Sequence, residues 1–269
     1  MQTSSEWLQH FKLNQRGLLA IPWDFGAELG AEERSAVARS IAEFQRGESS
    51  EGHHLMRYAE FYARATGDAD YAQAIRLFIA EEQRHARDLE RFLQINSLPL
   101  ARTTLADGVF RRLRNLFGTL EMSISILILA EIIAQVYYKA LTEATESQIL
   151  GRLCEQILRD EDHHVRFQAE QLGKLRARRG RVLYAATLLV QRLVFLCICG
   201  VVWTFHGRVL RRGRYGLADF WGSAWHHFRS AFLISSDTRN ACRVAWRSMH
   251  GAPRPYCWAR RLVYRAWYS

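Results

Sequence analysis

Two short stretches hold metal-binding residue types at a spacing that lets them act together. Residues 80–87 read Ala-Glu-Glu-Gln-Arg-His-Ala-Arg, and residues 159–166 read Arg-Asp-Glu-Asp-His-His-Val-Arg. Both contain Glu, two residues, His, one residue, Arg. Positions i and i+3 share a helix face, so Glu82 with His85, and Glu161 with His164, each present a carboxylate and an imidazole in one direction. Asp160 with His163 is a competing register. Glu161 with His164 is preferred because Arg166 then matches Arg87.

Each pair has an acid upstream. Glu51 precedes Glu82 by 31 residues, and Glu131 precedes Glu161 by 30. Each is followed seven residues later by a tyrosine, Tyr58 and Tyr138, and seven residues is two helical turns, which puts acid and phenol on one face. Glu48 is the alternative to Glu51. The chain therefore contains a helical hairpin unit twice. Glu131 is the only acid between Glu121 and Glu143 in an apolar stretch; a charge there needs a partner, and a metal ion supplies one.

Residues 35–175 resemble the ferritin-like superfamily, in the style of rubrerythrin and bacterioferritin, in which four helices carry one Glu, one Glu-x-x-His, one Glu and one Glu-x-x-His. The resemblance implies an all-α fold, a ferritin-like four-helix bundle with a long crossover, to which a helical, basic and aromatic C-terminal extension is added. It makes Glu82 and Glu161 bridging carboxylates, Glu51 and Glu131 terminal ones, and His85 and His164 one imidazole per iron. Two iron ions are expected, with manganese or a mixed iron and manganese pair as the alternative. Tyr58 and Tyr138 are candidate catalytic residues beside them, and Arg87 and Arg166 candidates for orienting the ligands.

Similarity to that family implies a non-haem di-iron oxidoreductase that uses dioxygen or peroxide to oxidise an organic, hydrophobic or membrane-linked substrate. The alternatives are an iron or peroxide handling protein of the rubrerythrin or bacterioferritin type and a tRNA-modifying di-iron hydroxylase. None of the five cysteines falls in a Cys-x-x-Cys pair, which excludes a zinc ribbon or a rubredoxin-type iron centre in this chain. An external electron donor is expected.

The elements that must position these residues divide the chain into an irregular N-terminal arm over 1–30, the helical bundle over 31–178, and an extension over 179–269. Within the bundle the periodicity predicts helices over 32–66, 71–95, 119–144 and 147–176, with 96–118 as the crossover. Charge divides along the same lines. From Lys174 onward there are eighteen Lys and Arg against Asp219 and Asp237, so an acidic bundle carries a basic tail.

Within that extension, Val182 to Phe205 is 24 residues of mostly apolar sequence, long enough to cross a bilayer. Gln191 and Arg192 sit at its centre, however, where an arginine costs roughly 2.5 to 3.5 kcal/mol on insertion scales. A membrane-surface helix or a fifth helix packed on the bundle fits better. The aromatic and basic residues beyond it suit an anionic membrane surface, and they also suit RNA; a homodimer is a further candidate. The residues before Gln15 lack a secretory pattern, and Cys197 and Cys199 in an apolar run fit reduced thiols. The expected location is cytoplasmic, peripheral on the inner face of a membrane.

Overall fold

The computed structural model describes residues 1–49, 52–101 and 118–250, which form α-helices and one short 3-10 turn, with no strand among them. The arm expected to be irregular begins instead with a helix, α1 (Ser4–Asn14). Thr3 caps it through its hydroxyl, which accepts from the Glu6 amide at 3.2 Å, and the Glu6 carboxylate accepts from the Thr3 amide in return. Trp7, Leu8 and Phe11 bury one face. The Trp7 indole donates to the buried Glu170 at 3.0 Å, which ties the arm to the helical core.

The single helix expected over 32–66 is two, α2 (Ala31–Glu48) and α3 (His53–Thr66). The reason lies at Gly52. Its φ of +66° is left-handed, and a Cβ there would stand 2.8 Å from Ile79, so only glycine fits without strain. α4 (Ala69–Ile95) follows under an Asp68 cap. Most of the expected crossover, 102–117, lies outside the described residues, as does Glu51.

α5 (Leu120–Glu143) starts at the Thr119 cap and is apolar nearly all round, as a buried helix must be. α6 (Gln148–Arg176) starts at Ser147, where the Glu28 carboxylate accepts from the amides of Gln148 and Ile149. An acid at that end also opposes the positive pole of the helix. α5 lies along α6, α4 meets α1, α2 and α3, and α4 also meets α6.

The apolar run of the extension is α7 (Arg181–Arg212), and α8 (Leu217–His250) follows it. α7 lies on α2 and α5, and α8 lies on α6 and α5. Gly173 permits the second contact: a Cβ there would stand 2.5 Å from the Ser235 carbonyl oxygen. Both helices share a hydrophobic cluster with the site-bearing helices through Phe195, Ile198, Val202, Phe220 and Phe228.

The core is in two parts. One holds Tyr71, Ile75 and Phe78 of α4 with Phe167 and Leu172 of α6. The other holds Leu89, Phe92 and Leu93 of α4 with Leu150, Leu153 and Ile157 of α6. A fully buried Leu or Ile stabilises a fold by roughly 1.5 to 3 kcal/mol. The two or three turns between the clusters forgo that gain, because Glu81, Glu82, His85, Asp160, Glu161 and His164 occupy them.

Candidate metal centre

That polar belt forms because the 3.6-residue period places ligand positions on the same inward face as the apolar ones. On α4, Glu82 and His85 continue the line of Ile75 and Phe78; on α6, Glu161 and His164 continue that of Leu153 and Ile157. α5 adds Glu131 opposite them, and α2 adds its last residue, Glu48. Glu48, Glu82, His85 and Glu161 form one group, and Glu82, Glu131, Glu161 and His164 another, with one donor atom per residue all within 4.8 Å of one another. Glu82 and Glu161 belong to both.

The Nδ1 atom of His164 lies 3.0 Å from Glu82, 3.7 Å from Glu161 and 3.9 Å from Glu131. The Nδ1 atom of His85 lies 3.6 Å from Glu161 and 3.8 Å from Glu82. Glu131 is only 3% exposed, and Glu161 and His164 are 0% exposed. Five of the converging atoms have no hydrogen-bond partner outside the cluster: Glu82 Oε1, His85 Nδ1, both Glu161 oxygens and His164 Nδ1, of which His164 Nδ1 and Glu82 Oε1 approach each other at 3.0 Å. Buried polar atoms are ordinarily paired, and leaving each one bare costs about 1 to 3 kcal/mol. Four carboxylates and two imidazoles whose free atoms point at common centres fit metal ions.

The opposite edge of each imidazole is tied down. His85 donates from Nε2 to Asp160 at 2.9 Å, and His164 donates from Nε2 to Glu81 at 2.9 Å. Each histidine is thus supported by the acid that precedes the ligand glutamate on the facing helix. This fixes the tautomer that leaves Nδ1 bare towards the centre. Asn14, at the end of α1, donates from one amide nitrogen to Glu81 and to Asp160, both at 2.7 Å. Gln156 and Arg84 also donate to Asp160.

Electrostatics mark the same centre. Burial, followed by the nearby charge of Glu131, pushes Glu82 and Glu161 well above the usual carboxylate range. Burial likewise raises Glu48. Burial alone would raise Glu131, but its contacts with Glu161, His164 and the Gln168 amide outweigh that and hold it low. His164 is the converse case: burial would lower it, and the surrounding Glu131, Glu161, Glu81 and Glu82 raise it well above its ordinary value. Asp160 is lowered, since His85 and Arg84 overcome its burial. Carboxylates this crowded repel one another until a cation joins them.

Of the residues expected from the sequence, Glu82, His85, Glu131, Glu161 and His164 meet here. Among the described residues before α3, Glu48 at the end of α2 meets them. Its Oε1 accepts from the buried Tyr138 hydroxyl at 2.7 Å. Tyr58 lies on α3, beyond the break, with the Arg57 guanidinium 5.4 Å above its ring. The competing register is resolved by role: Asp160 supports His85, and His163 packs against His10 with ring centroids 4.1 Å apart and the rings tilted at 53°. Arg166 reaches Glu170 at 3.4 Å and Arg87 is exposed, so neither orients a ligand; Arg84 does so through Asp160.

A second polar chain adjoins the centre. Tyr137, beside Tyr138, shares a hydrogen bond with Ser40 at 2.9 Å, and Ser40 shares another with Nδ1 of His206 on α7 at 2.8 Å. Phe44 stacks on Tyr137 at 3.4 Å. Burial lowers His206 to about 4, so its ring is neutral near pH 7. Sequence reasoning missed Asn14, Glu81, Gln156 and this chain. A signal for Glu81 was present, because the repeat extends one residue upstream as acid, Glu, two residues, His. The chain matches no protein-family model, no curated protein and no solved structure.

Proposed function

We propose that the chain is a dimetal carboxylate oxidoreductase of the ferritin-like kind, with iron as its metal and an organic molecule as its substrate. One observation carries this reading: two ligand groups share Glu82 and Glu161 while their converging atoms are buried and unpaired. Glu48 and His85 complete one metal's ligands, and Glu131 and His164 the other's. A bound pair of ferrous ions would supply two-electron reduction of dioxygen or peroxide.

The protein's own residues have separate tasks in that reading. Glu82 and Glu161 would hold both ions, and the raised affinity of each carboxylate for protons marks sites that would exchange a proton for a metal. Asp160 and Glu81 keep Nε2 of each histidine protonated, so that Nδ1 stays available. Tyr138 donates to Glu48, which fixes the rotamer of the carboxylate nearest the end of α2 and sets a phenol against the centre. The two apolar clusters above and below exclude water.

Oxygen consumption by the ferrous-loaded protein tests the reading. Uptake that stops after one equivalent per site, and resumes when a reductant and an organic substrate are added, supports an oxidoreductase. Continued oxidation of added ferrous iron with no organic product would assign the chain to iron handling instead. No oxygen uptake would refute both.

A further inference from the structure

α7 has two faces of the same chemistry and opposite exposure. Its inner face buries Phe195, Ile198, Cys199, Val202 and Val209 against the helical core. Its outer face leaves Val182, Leu189, Val190, Leu193, Leu196 and Phe205 in water, Val182 at 85% exposure and Leu196, the least, at 40%. Leu189, Leu193 and Leu196 follow one another at three or four residues and Val182 lies two turns before Leu189, so these four share one side of the helix over roughly 20 Å. Soluble monomers seldom leave so long an apolar strip uncovered.

The inner contacts run along the helix. Gln191 accepts from Arg176 at 2.9 Å, Phe195 stacks on Phe228 at 4.4 Å, His206 meets Ser40, and Arg208 donates to Ser35 at 3.0 Å. Lying flat on its neighbours, α7 could cross a bilayer only by taking Glu121, Arg176 and the buried acids with it. Its outer strip can meet lipid from the side.

Charge selects the occupant. α7 contains no acid, and Arg181 and Arg192 are exposed along it. Only Asp219 and Asp237 offset the eighteen Lys and Arg from Lys174 onward, four of which, with two Trp and three Tyr, lie in residues 251–269. A second copy docking through the same strip would set these arginines against themselves. RNA would need a stacking surface, and the strip is aliphatic apart from Phe205. Anionic phospholipid satisfies both parts, with the acyl boundary taking Val and Leu and the phosphates taking Arg.

We propose that the outer face of α7 docks side-on onto an anionic lipid bilayer. The proposal does not rest on the metal assignment. It is tested by floating the full chain with phosphatidylcholine vesicles and with vesicles that also contain phosphatidylglycerol. Wild-type protein floats with the anionic vesicles at least about tenfold more than with the neutral ones, and salt releases it. The double variant Leu189→Asp/Leu193→Asp loses that binding by a similar factor at an unchanged melting temperature. A solvent-sensitive fluorophore on the exposed Cys197, with Cys242 and Cys257 changed to Ser, shifts to the blue with anionic vesicles alone.

Three results would overturn the proposal. They are wild-type protein that stays at the bottom of the gradient, a double variant that floats like wild type, and a solution dimer that the double variant splits into monomers. The last would make the strip an interface between copies.

Discussion

At the centre of the molecule three glutamates and two histidines occupy positions that α4, α5 and α6 otherwise give to Leu, Ile and Phe, with Glu48 of α2 beside them; on α7, Val and Leu occupy positions that solvent-facing helices give to Lys and Glu. Both regions depart from ordinary burial, in opposite senses. The centre leaves hydrogen-bonding atoms dry and bare, so what it lacks is charge, a cation. The strip leaves aliphatic surface wet, which fits the partner proposed for it, a nonpolar surface with anionic groups nearby. The kind of frustration at a site names the kind of partner it takes.

Removing the metal breaks this comparison most strongly. A ligand present at about a hundred times its dissociation constant stabilises by about 2.7 kcal/mol, so chelation is expected to lower the melting temperature by roughly 5 to 10 °C in a chain of this size. Calorimetry with and without chelator reads it. The same treatment leaves vesicle binding through α7 unchanged.

Next comes Asp160→Ala, which frees Nε2 of His85 and removes the partner of Arg84. Loss of such a support costs about 10- to 100-fold in metal affinity, measured by competition with a chromophoric chelator. Asn14→Ala, which removes a donor shared by Glu81 and Asp160, has a smaller effect in the same assay.

The metal-free protein should also have an inverted pH profile. Glu82, Glu161 and His164 bind protons more tightly in the folded state than unfolded, so their contribution is present below the unfolded values and is lost as pH rises through the folded ones. Thermal melts of metal-free protein therefore fall from pH 5 to pH 8. Added metal, which competes with those protons, reverses the slope. The smallest effect is at the strip: Leu189→Asp alone changes stability in solution by no more than about 0.5 kcal/mol, because the residue touches water already.

Much of the centre was legible in the sequence because helices impose a short period on residues that must converge. Glu82, His85, Glu161 and His164 follow from spacing within one turn. Glu131 follows from being the lone acid in an apolar helix. Spacing alone did not show that Glu48 reaches the centre, since that depends on where α2 ends, just before the left-handed Gly52; Glu51 lies outside the described residues. Asn14 was hidden for another reason. Its partners lie 67 and 146 residues away, and no local pattern encodes a contact of that range. The apolar run of α7 was plain to see, whereas which of its faces stays exposed depended on the helices beneath it.

Metal content by mass spectrometry, on the full chain and on Glu161→Ala beside an exposed control, Glu146→Ala, addresses the central assignment most directly. Two irons or manganese ions per chain in the wild type and the control, with almost none in Glu161→Ala, is the predicted result, because Glu161 serves both ligand groups. Metal-free protein after loading, or metal retained in full by Glu161→Ala, would contradict it.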